Sequence, residues 1–407
     1  MSTQLHASIS EETVRRISAE YDEPEWLLET RLDALSALDD LEYPSVIRTP
    51  GRQWTNLEGL DYEALVDPLT QAEEKDQVGP DDVSVLPFHE ALDEYGDLVE
   101  EAFGSVVPPM DNRLVALSTA LFTTGTVVYV PAGVAAEDVT IRTTMRSRSL
   151  FNYTLVVTEE SSSVTILERQ DSGSVEGANE DVDHRYYSGI VEVVAGENSH
   201  VQYGALQDFD EETYNYTLKR AAAAAFANVS WIEGNLGSRL TKTTVGTELT
   251  GDGSETKIVG AFFGHDDQHF DLDSRVWHRA EHTVADLVTR GVIDDRARSV
   301  YEGTQDVGKD AWDTNSYQRE NTLMLSDESE ADASPKLIIN NHDTEASHSA
   351  TVGQIDREDL FYMTTRGVDD RRAKNMLVEG FFVPVLAEIA VAEFREDLEA
   401  RISERLR

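Results

Sequence analysis

The chain has 407 residues, 40% of them apolar, with 78 acidic side chains against 34 basic ones and a formal net charge of −44. That balance excludes a nucleic-acid or anionic-membrane binder, whose affinity comes from Lys and Arg neutralising phosphate. There is no cysteine, which excludes disulfides, thiolate catalysis and thiolate ligation of zinc or an iron–sulfur cluster by this chain alone.

Residues 1 to about 45 read as two helices. Ser10-Glu11-Glu12 gives an acidic, capped start with Val14, Ile17 and Tyr21 on one face, and Pro24 suits a first helical position ahead of Trp26, Leu27, Leu32 and Leu35. Residues 56–84 are acidic and punctuated by Pro68, Gly79 and Pro80, and read as a surface connection. Phe88 to Phe103 is again helical, completing an N-terminal helical region over 1–111.

From about Asn112 to Gly353 short β-branched runs follow one another, among them Thr126-Val-Val-Tyr-Val130, Tyr153-Thr-Leu-Val-Val157, Val191-Glu-Val-Val194 and Leu337-Ile-Ile339. Gly, Asn, Asp and Ser separate them. This mainly β core over 112–353 fits a sandwich, a barrel or a β-solenoid, and no tight period with a fixed motif separates the three. Helical segments at both ends suit the capping that a solenoid's coils need. The alanine run Ala221–Ala225 favours helix by propensity, yet inside a run of strands it reads as small residues where coils pack closely. After Asp356 the spacing turns helical and stays so to Arg407, giving a C-terminal helical domain over 354–407, with Gly380 as a stop and Pro384 as a restart. No apolar run approaches the ~20 residues that span a bilayer, and Met1-Ser-Thr-Gln-Leu-His has no secretory pattern. An acidic surface that repels itself is tolerable where salt screens it, the Debye length falling to about 3 Å at 1 M. The expectation is a soluble, cytoplasmic protein of a salt-loaded cell.

Several patterns could carry chemistry. His265/His269 and His278/His282 are each spaced i, i+4, which on a helix suits a zinc site. Phe262-Phe263 and Phe270-Asp-Leu argue for strand, where that spacing puts the rings about 13 Å apart, too far for one metal. They read as ordinary polar histidines in turns. Asp266, Asp267, Asp271 and Asp273 would suit a β-helix enzyme acting on polysaccharide, but carboxylate clusters arise by chance in a chain this acidic. Neither a phosphate-cradling Gly-rich loop with Lys-Ser/Thr nor a Gly-x-Ser-x-Gly elbow occurs, so the chain reads as non-catalytic. His348 is the better candidate. It lies where the strand pattern ends, beside Glu345 and Asp343, and neutral imidazole is a good iron ligand. The alternative is a structural histidine at a domain junction. The apolar residues after that junction are core by default, or a helical knob whose spaced anchors dock in a partner's groove.

The same stretch resembles the SufB/SufD proteins of iron–sulfur cluster assembly. Their pattern D-V-x-C-S-H-G-A-T-x-G is met by Asp343, Ser347-His348, Ala350-Thr351 and Gly353. L-F-Y-L-x-S-R-G is met by Leu360-Phe361-Tyr362 and Arg366-Gly367, and A-x-x-L-L-x-x-G-F by Ala373, Leu377 and Gly380-Phe381. Ser-His followed by Val-Gly is closer to SufD than to SufB. Thr344, Ser349 and Ala346 depart from the pattern, and Ala346 stands where many members carry cysteine. The resemblance implies a right-handed parallel β-helix flanked by helices. It implies a SufB-like paralogue paired through that helix (a homodimer in isolation), with His348, and Glu345 or Asp343 as oxygen donors, at the junction where a nascent cluster forms. It further implies a SufC-like ATPase contacted by Leu360, Phe361, Tyr362, Arg366, Gly367, Met376, Leu377 and Phe381. No cofactor is then held stably by this chain, and any cluster or iron is transient and shared, its sulfur ligands coming from a cysteine-bearing partner. Two readings stand beside it: a stand-alone β-helix enzyme, and a homodimeric B-type scaffold.

Overall fold

The computed structural model describes residues 9–49, 52–71, 73–174 and 184–406. In the N-terminal part lie helices α1 (Glu11–Glu20), α2 (Glu25–Ala37), α3 (Tyr62–Leu65), α4 (Phe88–Glu94), α5 (Gly96–Ala102) and α6 (Arg113–Leu121). Short strands β1 (Arg48–Thr49), β2 (Arg52–Gln53), β3 (Glu73–Val78) and β4 (Ser84–Pro87) fall between them. Then come β5 (Thr124–Val130), β6 (Ala135–Met145), β7 (Ser149–Thr158), β8 (Ser163–Ser172), β9 (Arg185–Ala195), β10 (His200–Asp208), β11 (Thr213–Ala223) and β12 (Asn228–Asn235). The series continues with β13 (Leu240–Leu249), β14 (Glu255–Gly264), β15 (His269–His278), β16 (Val284–Ile293), β17 (Arg298–Val307), β18 (Thr314–Met324), β19 (Glu330–Ile339) and β20 (Thr344–Gln354). Helices α7 (Arg357–Thr365), α8 (Asp370–Ala387) and α9 (Ala392–Arg405) follow.

From β5 onward each strand pairs in parallel with the strand two positions away, so odd and even strands build two separate sheets. The chain is a parallel β-solenoid of about eight coils, two strands to a coil. Its turns are held by residues in the left-handed region. Ser161, Asn198, Phe226, Gly253 and His282 all have φ near +60°, and each donates its N–H to a carbonyl of the following coil at 2.8–2.9 Å. The alanine run ends β11, with Ala221 and Ala223 fully buried in the interior, so burial between coils overrides helix propensity.

Three expectations are corrected. The acidic segment 56–84 is more than a connection: it supplies β3 and part of β4, which pair antiparallel with β6 and β5 and close the first edges of both sheets. The helices do not cap the solenoid's ends; they cover its two outer faces. The N-terminal helices pack on the odd sheet, burying Phe151, Tyr153, Tyr186, Tyr216 and Leu218 with Val14, Leu27, Phe88 and Leu114. Helices α8 and α9 pack on the even sheet, burying Leu206, Ile232, Val259, Phe263 and Val288 with Val378, Phe382, Leu386, Phe394 and Leu398. Lastly, α8 runs through both Gly380 and Pro384. The proline ring meets the carbonyl of Gly380 four residues back, and burial of Phe382, Val385 and Leu386 on either side of it outweighs the lost hydrogen bond.

Candidate functional site

Because parallel strands stack in register, side chains of successive coils line up in lanes down the solenoid. One lane on the even sheet runs Val139, Ile166, Tyr203, Trp231, Ile258, Leu287, Gln318, His348. Its first six members are wholly buried or nearly so and form the interior core. The lane then turns polar over the last two coils, at Gln318 and His348.

That last coil is β19 and β20. Among the described residues each has a strand partner on one side only, β17 and β18 respectively. Every residue of both strands is half-buried or exposed, including Ile338, Ile339 and Val352. Two strands of 10 and 11 residues with free N–H and C=O rows are a template for pairing with another chain.

His348 belongs to this coil. It is in register with Gln318, whose neighbours Ser316, Glu320 and Thr322 all point into the interior, so the imidazole sits at the solenoid's mouth and is exposed there. Glu345 lies three residues away on the same strand, an odd separation that puts its carboxylate on the opposite face. Asp343 is in the turn before β20. Its carbonyl accepts from Thr314 N–H and its Oδ2 from Asp313 N–H, both at 3.2 Å, so it fastens that turn. The three residues grouped by sequence are therefore dispersed.

The structure adds two residues that sequence reading passed over. Gln318 is 1% exposed and neither atom of its amide has a hydrogen-bond partner among the described residues. Glu320 is also 1% exposed; its Oε1 accepts from the Thr322 hydroxyl at 2.5 Å while Oε2 has no partner. Burial pushes the Glu320 carboxyl up to about 7, against the Thr322 hydroxyl and the Thr351 N–H, which pull it down. Their signal was present in Ser316-x-Gln318-x-Glu320-x-Thr322, polar side chains at the period of a strand face. It went unread because the outward positions Asn315, Arg319 and Asn321 are polar too, so no apolar alternation marks β18.

The two histidine pairs and the Asp266–Asp273 cluster take part in hydrogen bonds and ion pairs of the fold. His265 and His282 are in turns, as expected, whereas His269 and His278 are buried at the two ends of β15. His269 Nε2 meets the Thr55 hydroxyl at 2.7 Å, and that hydroxyl donates to Asp271 at 2.5 Å, pinning the N-terminal segment to the odd sheet. Burial depresses both histidines to about 4. Asp271 is paired with Lys242, Asp273 with Arg275 and Asp267 with Arg296. Three of the four carboxylates that would serve a polysaccharide enzyme are thus ion-paired, and two of these, Asp271 and Asp273, are buried.

On the C-terminal helices, α7 buries none of its residues; Phe361 and Tyr362 are 69% and 59% exposed, with Arg366 stacked on the Tyr362 ring at 4.9 Å. Leu360 and Leu377 are half-buried, Met376 is exposed, and Gly367 ends α7 at φ +89°. Phe381 is turned to the solenoid, half-buried with the Arg290 guanidinium 4.8 Å from its ring.

Residues 141–381 match the family described as SUF system FeS cluster assembly, SufBD core domain, and residues 55–141 match the SufBD protein N-terminal region. The chain belongs to the SufBD family. An iron-sulfur cluster assembly SufBD family protein of Staphylococcus haemolyticus is 28% identical over 427 residues, covering 94% of this chain and 90% of that one. A namesake from Staphylococcus aureus is 26% identical over 428 residues with the same coverage. SufBD proteins are components of cluster assembly, and the open coil lies inside the matched core. No described helix is long and apolar enough to cross a membrane.

Proposed function

We propose that this SufBD-family chain is the SufD-like, non-catalytic subunit of a SufBCD assembly. It pairs through β19 and β20 with a SufB-like paralogue, or with a second copy when alone, and offers α7 and α8 to a SufC-like ATPase. The observation that carries the reading is the uncovered eighth coil with His348 at its mouth. A partner's coil stacked there pairs both free edges and encloses His348 at the junction. With no cysteine in this chain, thiolates for a nascent cluster come from that partner, and His348 supplies a nitrogen ligand or carries a proton. The acidic composition supports a cytoplasmic setting in a salt-loaded cell, where salt screens the self-repulsion of a −44 chain. Equal melting temperatures in low and multimolar KCl would count against that placement.

The test is His348→Ala in the complex purified from its native cell. The side chain is exposed in the single chain and makes no contact on which packing depends, so stoichiometry and melting temperature should hold while iron and sulfide content falls. Normal cluster content in the variant would sink the assignment; loss of subunit pairing would make His348 a structural residue instead.

A further inference from the structure

Two buried side chains beside the end of the His348 lane keep atoms without a hydrogen-bond partner among the described residues: both amide atoms of Gln318, and Oε2 of Glu320. Both lie on the inner face of β18, one coil in from the mouth. Gln318 is directly beneath His348, and Glu320 is beneath Ala350, two residues along the same face. Strand spacing puts the Glu320 and His348 Cα atoms roughly 8 Å apart, a gap that a glutamate and an imidazole pointing into one lumen can close on a shared ion. The amide of Gln318 reaches across the lumen to β17, where only a glycine admits it: a Cβ on Gly303 would lie 1.7 Å from Gln318 Nε2.

Other glutamates facing this interior are provided for. Glu168 accepts from Gln170 Nε2 and from the Tyr203 hydroxyl, each at 2.8 Å. Glu233 takes Lys219 Nζ on both oxygens, at 3.0 and 2.9 Å. Glu320 has the Thr322 hydroxyl on Oε1 and the Thr351 N–H near its carboxyl, and its Oε2 has no hydrogen-bond partner among the described residues. A buried polar atom left unpaired carries its full desolvation cost, and two neighbours in that state point to something that fills the gap between them. A water answers the amide of Gln318. A cation answers the bare carboxylate oxygen, the Gln318 carbonyl and the imidazole above them together.

We propose that Glu320, Gln318 and His348 form a divalent-cation site in the mouth of the solenoid. It takes an iron(II)-like ion through a carboxylate oxygen, an amide oxygen and an imidazole nitrogen. This mixed nitrogen and oxygen set suits iron, manganese and cobalt in the divalent state. Positions facing the mouth stay open, which is where a partner's ligands enter. The inference rests on the reading that His348 meets iron, and adds to it the two residues that hold the ion from inside.

The experiment is a cobalt(II) titration of the full chain, followed by visible absorption and by calorimetry, with iron(II) repeated anaerobically. Wild type should bind one ion per chain at this site. Glu320→Gln, which keeps shape and removes charge, should weaken binding about tenfold or more, as should His348→Ala. Gln318→Leu extends the apolar lane from Leu287 and should also weaken binding while the apo protein melts higher, which separates lost ligation from lost fold. Glu211, His265 and Asp266 bring ligand atoms within 4.8 Å of one another on the surface, so His265→Ala is the control. Loss of binding in His348→Ala but not in Glu320→Gln overturns the inner site and leaves the His348 reading standing. A signal that neither substitution changes, or that vanishes only in His265→Ala, or no binding by wild type, overturns the proposal.

Discussion

The first and last coils of the solenoid are built from the same backbone and used differently. In the early coils the lane Val139, Ile166, Tyr203, Trp231 is dry, both outer faces are covered by helices, and β3 and β4 close the end. In the last two coils the same lane holds Gln318 and His348, β19 and β20 have free edges, and no residue of either strand is buried. A parallel solenoid repeats its geometry and leaves its side chains free, so one end can carry the stability while the other stays polar and unpaired. The contrast separates residues that hold the molecule together from those available to a partner.

The sharpest way to break the comparison is to empty the dry end. Trp231 is wholly buried in the middle of the lane, with its Nε1–H donating to Thr247 at 3.0 Å. Trp231→Ala removes the largest side chain of the interior and should cost about 3–5 kcal/mol. Urea unfolding should show this as a lower midpoint with the slope unchanged. A cost below about 1 kcal/mol would mean that the interior collapses around the gap and is not packed as described.

A second comparison sets His269, buried in the fold, against the same ring in the unfolded chain. The Thr55 proton goes to Asp271, so the Thr55 oxygen accepts from His269 Nε2–H and Nδ1 is left bare in a dry site. Its pKa is about 4 in the fold against 6.5 as the ordinary value. The unfolded chain therefore binds more protons between these two values, and stability rises with pH across that window. The contribution is complete above pH 6.5 and is lost as pH falls toward 4, about 3 kcal/mol in all. His278 adds a slope of the same sign, so the informative quantity is the difference between wild type and His269→Gln. That variant keeps a donor for Thr55 and should flatten the pH dependence of the urea midpoint. Parallel curves for wild type and His269→Gln would show that the ring is solvated.

The same division governs what could be read without coordinates. The helices with one apolar face and the β-branched strands of coils one to five were legible, because burial writes itself as periodicity. The coil period was not. It is set by left-handed turn residues that recur 28, 27 and 29 residues apart from Asn198 to His282, as Asn, Phe, Gly and His in turn, so geometry repeats while identity does not. At the open end His348 stands out by its position and imidazole chemistry as well as by resemblance, and the dispersal of Glu345 to the opposite face follows from strand parity once β20 is known to be a strand. Gln318 and Glu320 were missed because a polar interior erases the alternation by which strands are recognised. The capping role assigned to the terminal helices failed for a related reason: the sequence marks an apolar helix face but not whether it covers the end of a sheet or its flank.

The smallest expected effect on stability, and the sharpest test of docking, lies within the C-terminal helices, which repeat the contrast on a smaller scale. Val378 is fully buried against the even sheet, while Phe361 on α7 is 69% exposed and packs on no core cluster. Phe361→Asp should therefore change the unfolding free energy by no more than about 0.5 kcal/mol, the range of surface substitutions. Val378→Asp buries an unpaired charge and should loosen α8 from the solenoid at a cost of several kcal/mol. If α7 is the anchor for the ATPase, Phe361→Asp should weaken that association by about 2 kcal/mol or more, as truncating a central aromatic anchor does. Calorimetry with the co-purified ATPase measures this directly, and circular dichroism melting of the same sample measures the fold. Unaltered binding with an intact fold would remove α7 from the interface. Weakened binding with an intact fold would show that the exposed ring is held out for a partner.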